Sequence, residues 1–328
     1  MNYSNTSKGL QNLGNTCFFN SILQLLFQCT VLNKLLIDND INGTLINIYK
    51  RFLNSYLSNN ISDTNDVINP QEIVSYVSQI LGRRNWEQED ADQYITFIID
   101  AIIEEFKEWS KASLSNLVVE NKNMSLDELI YNLFTIGVEK ELFCPECKYI
   151  SKTNDDVNKL YLSIDQIDRY SSISTDNSLN NLIDKYLEES LDEENMWKCD
   201  KCNQMVKANI KRNIIKLPKY LIITLKRYGN NNMKIETEID MPLYFSSMNK
   251  TYYLRGIVYH SGSTRGGHYV YYGSRNSING KNNLEKSALV SSSQIEWYLY
   301  NDSSVSKINS DTLDNIRKTG YIYLYVSR

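Results

Sequence analysis

Histidine, proline and cysteine are all scarce in this chain: 328 residues contain two, four and six of them. With only His260 and His268 present, any reaction that needs an imidazole has two candidates. Six cysteines are too few for a disulfide framework in a chain of this length, which favours a reducing compartment. No apolar run approaches the roughly 18 residues that a membrane-spanning helix needs. The polar stretch from Met1 to Lys8 leads into no apolar core of a signal sequence, so an intracellular protein without a membrane anchor is expected. There is no excess of positive charge either: 35 Lys and Arg face 39 Asp and Glu, a net charge of −4. Neither nucleic acid nor an anionic membrane is therefore an expected partner. What remains is an ordinary globular composition, 42% hydrophobic and 23% charged, long enough for one large domain or two modest ones.

The stretch Gly9 to Cys29 is the most informative. A polar loop ending in Gly14-Asn15-Thr16 runs into an apolar, helix-like segment that starts at Cys17. Asn15 and Thr16 are good capping types, so Cys17 is expected in the first turn of the helix. Free backbone N–H groups there favour negative charge, which biases a thiol towards thiolate. The plainer alternative is a small buried hydrophobe. Cys29 is expected deeper on the same helix, as core.

The first third reads as mostly helical. Helices are expected over 45–57 and from Pro70 to Leu81, with Ser58 to Asn69 a polar loop. From Ala91 to Trp109 the apolar residues recur on one face, behind a capping pair formed by Asp90 and Gln93. Strand-like runs then begin at Phe134–Phe143 and continue at 159–164, 208–216, 220–227, 252–259, 268–272, 297–301 and 321–326, interrupted by a helix over 179–187 and an acidic linker from Glu188 to Glu194. Asn276 to Gln294 is expected to be a flexible surface insertion. Helices first and antiparallel strands later make the class α+β.

Two matched Cys-x-x-Cys pairs, Cys144/Cys147 and Cys199/Cys202, are separated by 51 residues. Two such turns complete a tetrahedral zinc site with no open position, so the metal is expected to be structural. Two unconnected pairs, reduced or redox-active, are the alternative.

His268 follows Gly266 and Gly267, which give a neighbouring segment and the imidazole room. Next to Cys17 this imidazole can take the thiol proton and return it to a leaving amine. It then needs an acceptor on its other nitrogen. Trp297-Tyr-Leu-Tyr-Asn301-Asp302 supplies two, although Asp302 also suits a turn. His260 is expected to be structural.

In order, these motifs resemble the ubiquitin-specific protease family of papain-like cysteine deubiquitinases. The resemblance rests on Gly-Leu-Gln-Asn-Leu-Gly-Asn-Thr-Cys17, on Gln88-Glu-Asp90-Ala-Asp-Gln93-Tyr94, on both cysteine pairs, on Leu217 to Tyr228, on Gly-Gly-His268-Tyr and on Trp297 to Asp302. It covers residues 8 to 327. It implies one catalytic domain over 1–328 with a helical thumb (1–132), zinc-ribbon β fingers with part of the palm (133–215) and an antiparallel β palm (216–328). It further implies Cys17 as nucleophile, His268 as base, Asn301 as its orienter, Asp302 as accessory and Asn12 as oxyanion donor. Gln88, Asp90, Gly266 and Gly267 would bind the arginine- and glycine-containing tail of ubiquitin. The expected partners are ubiquitin and ubiquitinated proteins, met by a monomer carrying one structural zinc and no organic cofactor. Two departures stand out: Asp92-Gln93-Tyr94 replaces His-Glu-Phe, and Phe18-Phe19 replaces Tyr-Met. The first raises a related modifier as an alternative substrate. A silent ubiquitin-binding scaffold and a zinc-ribbon nucleic-acid binder are the other readings.

Overall fold

The computed structural model describes residues 8–58, 67–83, 87–112, 126–164, 176–228, 234–263, 266–276 and 295–327. Six helices come first: α1 (Cys17–Phe27), α2 (Thr30–Asp38), α3 (Thr44–Leu57), α4 (Gln71–Ile80), α5 (Ala91–Ala112) and α6 (Leu126–Phe134). α5 owes its place to the expected stripe, with Tyr94, Ile95, Ile98, Ile102 and Phe106 all buried. α1 is buried on every side, its polar residues included. Such a helix must find partners for its side chains inside the protein. Gln24 Nε2 donates to the Lys8 carbonyl at 2.9 Å, Tyr56 donates to Gln24 Oε1 at 2.9 Å, and Ser21 donates to the Phe18 carbonyl at 2.7 Å.

One expectation about this region is corrected. Cys29 is not on the first helix, because the chain bends by 80° between α1 and α2 and Cys29 caps the second. Asn33 Nδ2 stabilises the bend by donating to the Leu26 and Phe27 carbonyls at the end of α1, the first of which also accepts the Cys29 N–H. Cys29 is nonetheless core, with no exposed surface. Among the described residues no single helix is long and apolar enough to cross a membrane; α1 and α2 reach that length and composition only as this bent, buried pair.

A first sheet rises from the end of α6. Its strands are β1 (Ile136–Phe143), β2 (Ile150–Val157), β4 (Glu188–Ser190) and β7 (Asn209–Lys216), in the order β2-β1-β7-β4. Phe134, expected to open the first strand, instead closes α6. Part of the expected acidic linker is β4 itself, which pairs with β7 and sets Glu188 opposite Lys211. Between β4 and β7 lies a short hairpin of β5 (Trp197–Lys198) and β6 (Met205–Val206).

The second sheet has eight strands: β3 (Leu160–Ser163), β8 (Tyr220–Lys226), β9 (Tyr244–Ser247), β10 (Lys250–Ser263), β11 (Gly266–Asn276), β12 (Ile295–Asn301), β13 (Ser304–Ile308) and β14 (Ile322–Ser327). They follow the order β13-β12-β11-β10-β14-β8-β3, with β9 on the far end of β10. Every pair is antiparallel except β3 beside β8. This sheet is buried on both faces. Tyr220 and Ile222 of β8 join the core under the helices, whereas Leu221, Ile223 and Leu225 join a second core behind the sheet. That double burial explains why β8 reads as a continuous apolar run rather than an alternation. The second core is closed by α7 (Leu179–Leu187) and by α8 (Ser310–Thr319). Asn309 caps α8 by accepting from the Thr312 N–H at 2.8 Å.

Arg227 is also explained by this packing. It is 1% exposed and donates to the carbonyls of Gly320, Ile235, Thr237 and Lys318, tying the segment after β8 to the end of α8. The expected insertion beyond Asn276 and most of the polar loop before Asn69 lie outside the described residues.

Candidate active site and metal centre

The helices and the eight-stranded sheet meet where α1 begins. Cys17 is its first residue and is 3% exposed, packed between α1 and β11. Its Sγ accepts a hydrogen bond from the Tyr269 N–H at 3.5 Å. The expected thiolate bias is corrected here. Burial pushes the Cys17 thiol above its ordinary pKa and the negative charge of Asp302 pushes in the same direction, against backbone N–H groups of Tyr269, Phe18 and Cys17 that lower it. Desolvation wins, because α1 is enclosed on all sides. Thr16 occupies the N-cap position without a capping bond from its side chain; its Oγ1 instead accepts from the Leu13 N–H at 2.9 Å, tightening the loop before the helix.

His268 lies on β11 one residue before Tyr269, whose N–H reaches Cys17 Sγ. Its Nε2 is 2.7 Å from Asn301 Oδ1 at the end of β12. An amide oxygen can only accept, so Nε2 carries the proton and Nδ1 keeps the lone pair that a general base needs. Gly267 is required for this approach. A Cβ there would sit 2.2 Å from the Ser261 carbonyl oxygen and 2.3 Å from His260 Nε2. His260 is buried on β10, with Nδ1 hydrogen-bonded to the Tyr228 hydroxyl. Burial and the neighbouring charges of Lys234 and His268 lower its pKa to about 4. Its ring is held within the fold between β10 and Tyr228.

Asp302 follows Asn301 in the two-residue turn to β13 and takes a left-handed φ of 47°, a conformation that Asp tolerates better than most residues. Its carboxylate accepts from Asn20 Nδ2 at 2.7 Å and from Asn12 Nδ2 at 2.8 Å, and its carbonyl accepts from the Leu10 N–H at 2.8 Å. Asn12 Oδ1 in turn accepts from the N–H groups of Gly14 and Thr16. One amide hydrogen of Asn12 is thus held by Asp302 and its other side is pinned to the loop. Asn20 was not anticipated, although its position three residues after Cys17 places both on one helical face. Gly9 allows the loop to lie against this turn, since a Cβ would meet the Ser303 carbonyl oxygen at 2.3 Å.

The segment before α5 lines the approach. Gln88 pairs with Gly267 twice: Nε2 donates to the Gly267 carbonyl at 2.8 Å, and Oε1 accepts its N–H at 3.1 Å. Asp90 faces inward. Both its oxygens accept from the Tyr321 hydroxyl at 2.9 Å, Oδ1 also accepts the Asp92 N–H, and burial raises its pKa. The capping pair is therefore one-sided, with Gln93 exposed. Asp92 is 7% exposed, pairs with Lys159 and accepts from Thr224 Oγ1 at 2.7 Å. It joins α5 to β8 and to the residue before β3, and does not line the approach to Cys17.

In a small core of their own, all four cysteine sulfurs lie within 4.8 Å of one another. Cys144 and Cys147 sit in the β1–β2 turn, Cys199 and Cys202 in the β5–β6 turn, and the two turns share one construction. Lys148 and Asn203 adopt φ values of 62° and 61°, and their N–H groups donate to the Cys144 and Cys199 carbonyls. Sulfur distances of 3.6 Å (Cys147 to Cys199) and 3.8 Å (Cys144 to Cys202) are too long for disulfides. They match the edge of about 3.8 Å expected for a tetrahedron with zinc–sulfur bonds near 2.3 Å. Four sulfur donors at this spacing fit zinc.

A family model described as ubiquitin carboxyl-terminal hydrolase matches residues 8–325. Human ubiquitin carboxyl-terminal hydrolase 42 is 27% identical over 97% of this chain, and the rat ubiquitin carboxyl-terminal hydrolase 2 is 28% identical over 92%. The probable ubiquitin carboxyl-terminal hydrolase 16 of Schizosaccharomyces pombe is 28% identical over 97%. These alignments take in 23%, 51% and 66% of the three relatives, so the chain spans less than two thirds of their length. Among solved structures, the SAGA Ubp8/Sgf11/Sus1/Sgf73 DUB module bound to ubiquitin aldehyde contains a chain with the same fold. It has a TM-score of 0.66 and 22% identity, covering all of this chain and 71% of that one.

Proposed function

The chain belongs to the ubiquitin carboxyl-terminal hydrolase family, and from that premise we propose that it is a thiol-dependent deubiquitinase cleaving the bond after the C-terminal glycine of ubiquitin. The observation that carries the reading is the bond from His268 Nε2 to Asn301 Oδ1, one residue from the backbone N–H that touches Cys17 Sγ.

In this mechanism the Cys17 proton passes to His268 Nδ1 as sulfur attacks the terminal glycine carbonyl. Asn301 holds the ring in the tautomer that accepts that proton. The second amide hydrogen of Asn12 donates to the developing oxyanion, and Asp302 keeps the Asn12 side chain in place. His268 then protonates the departing lysine amine, and water, deprotonated by the same ring, releases ubiquitin from the thioester. Cys144, Cys147, Cys199 and Cys202 hold one zinc, which would fix the tips of the first sheet and take no part in the chemistry.

The division into thumb (1–132), fingers (133–215) and palm (216–328) is part of the same proposal. Cys17, His268 and Asn301 come from one chain, so a monomer suffices, and a net charge of −4 gives nucleic acid no role. Asp92, the residue that raised a related modifier as substrate, is paired with Lys159 away from the approach to Cys17, which favours ubiquitin itself. The test is hydrolysis of a ubiquitin C-terminal fluorogenic amide. Turnover is expected from the zinc-replete protein and should vanish in Cys17→Ala and His268→Ala. No turnover by the wild type, with no capture of Cys17 by a ubiquitin vinyl probe, would refute the reading.

A further inference from the structure

Asn20 stands one turn beyond Cys17 on α1 and is 3% exposed. Its amide nitrogen faces three oxygens on two other segments. It lies 2.7 Å from Asp302 Oδ1, 3.3 Å from the Gln11 carbonyl and 3.5 Å from the Leu10 carbonyl. An amide nitrogen carries two hydrogens, so one goes to the carboxylate and the other is shared between the carbonyls. That company fixes the orientation, since the reverse one would turn the amide oxygen towards three acceptors. Oδ1 is correspondingly left without a hydrogen-bond partner among the described residues, in a space that Cys17, Tyr269 and Tyr300 also line. A buried polar atom left unpaired costs about 1–3 kcal/mol. Every favourable polar contact of this side chain is therefore made by its nitrogen, and its oxygen opposes them.

We infer that Asn20 is a positioning residue that keeps the oxyanion donor in register with the nucleophile, acting through Asp302 and the backbone of residues 10 and 11. The inference rests on the deubiquitinase reading and deepens it. Cys17 is on a helix and Asn12 on the loop before it, so their spacing depends on what ties the two together. Asp302 fixes Asn12 to the turn between β12 and β13. One turn into the helix, Asn20 grips the same carboxylate by its other oxygen. Asn12 takes Oδ2 and Asn20 takes Oδ1, so the two amides set the rotation of the carboxylate between them. The second hydrogen of Asn20 reaches the two carbonyls immediately before Asn12. The Leu10 N–H completes the circuit by donating to the Asp302 carbonyl. A slip of the loop along the helix breaks these bonds together. Two donors on one atom are needed for this; a serine has one and a carboxylate has none.

The test compares wild type, Asn20→Leu, Asn20→Asp and Asp302→Ala on the ubiquitin fluorogenic amide, with alkylation of Cys17 by iodoacetamide as a second readout. Leucine fills a similar volume with neither the donor nor the unpaired oxygen. Asn20→Leu should lower kcat about 10- to 100-fold with KM held within about twofold. Its Cys17 should still be alkylated within about threefold of the wild-type rate, because alkylation uses no oxyanion donor. Added to Asp302→Ala, it should lower kcat by at most about threefold more, since both act through one carboxylate. Asn20→Asp keeps the shape and makes the contact titratable. Two carboxyl groups this close hold one proton between them, and that proton restores the bond to Asp302. The kcat of Asn20→Asp relative to wild type should therefore be greatest near about pH 6 and fall at least about tenfold by about pH 9, as the shared proton leaves. An unchanged kcat in Asn20→Leu, a kcat and alkylation rate that fall together, full additivity with Asp302→Ala, or a pH-independent ratio for Asn20→Asp overturns the inference. Thermal melting checks folding, and the pH series of Asn20→Asp carries the test alone if Asn20→Leu does not fold. Failure of the deubiquitinase reading is distinguishable, because it would appear in the wild-type arm as absent turnover and absent capture by the vinyl probe.

Discussion

Replacing Asp302 by alanine separates two effects of one carboxylate. It accepts hydrogen bonds from Asn12 and Asn20 at 2.8 and 2.7 Å, and its charge adds to burial in raising the Cys17 thiol. Hydrogen bonds to a charged acceptor are each worth about 1.5–3 kcal/mol, so losing them frees the Asn12 side chain. An oxyanion donor that no longer points at its target costs about 10²–10³ in kcat, equivalent to about 2.7–4 kcal/mol. Turnover of the ubiquitin fluorogenic amide by Asp302→Ala should fall by that factor with KM nearly unchanged. The thiol should move the opposite way. Without the nearby negative charge its pKa drops, so alkylation of the free enzyme by iodoacetamide shifts to lower pH and is faster at neutral pH. Asp302→Asn keeps one acceptor oxygen and loses the charge. It should share the shift in alkylation while losing less turnover. A variant with normal kcat would show that Asp302 does not place Asn12, and one alkylated more slowly than wild type that it does not hold the thiol protonated.

Three further outcomes follow from the packing. The His260 pKa is lowered from 6.5 to about 4, so the unfolded chain takes up this proton first as pH falls. Its contribution, about 3 kcal/mol, is intact above pH 6.5 and lost between 6.5 and 4; His260→Gln should flatten the fall in melting temperature over that window. Lys159→Met leaves Asp92 buried without its cation and should cost about 3–5 kcal/mol in urea unfolding, much of it restored by adding Asp92→Asn. Purified protein should hold one zinc per chain. Chelation, or Cys199→Ser, should remove it and change the fluorescence of Trp197, which packs against the cysteine cluster; a metal-free protein with unaltered emission would contradict a structural site.

The sequence shows a feature when the signal is local. α5 is legible because one face repeats its apolar residues for over five turns, and β8 because both its faces are buried. β2 is not, since most of its residues are exposed and polar and only its pairing with β1 makes it a strand. α8 is likewise polar apart from Leu313 and Ile316, and its cap at Asn309 is the main local cue. In the site, the scarcity of histidine left His268 little competition. The partners of Asp302 could not be read, because Asn12 and Asn20 lie 290 and 282 residues away and meet it only after the sheet has docked on α1. The misjudged state of Cys17 has the same origin. Its helix-start position is written in Asn15-Thr16-Cys17, whereas its dehydration depends on β11 covering it.

That covering has a consequence for survival under oxidative stress. Peroxide attacks thiolates far faster than thiols, and a cysteine converted beyond the sulfenic state does not return unaided. A resting Cys17 that is 3% exposed and held in its protonated form presents little of the vulnerable species. The same enclosure that slows a free nucleophile therefore lengthens the working life of the protein between substrates.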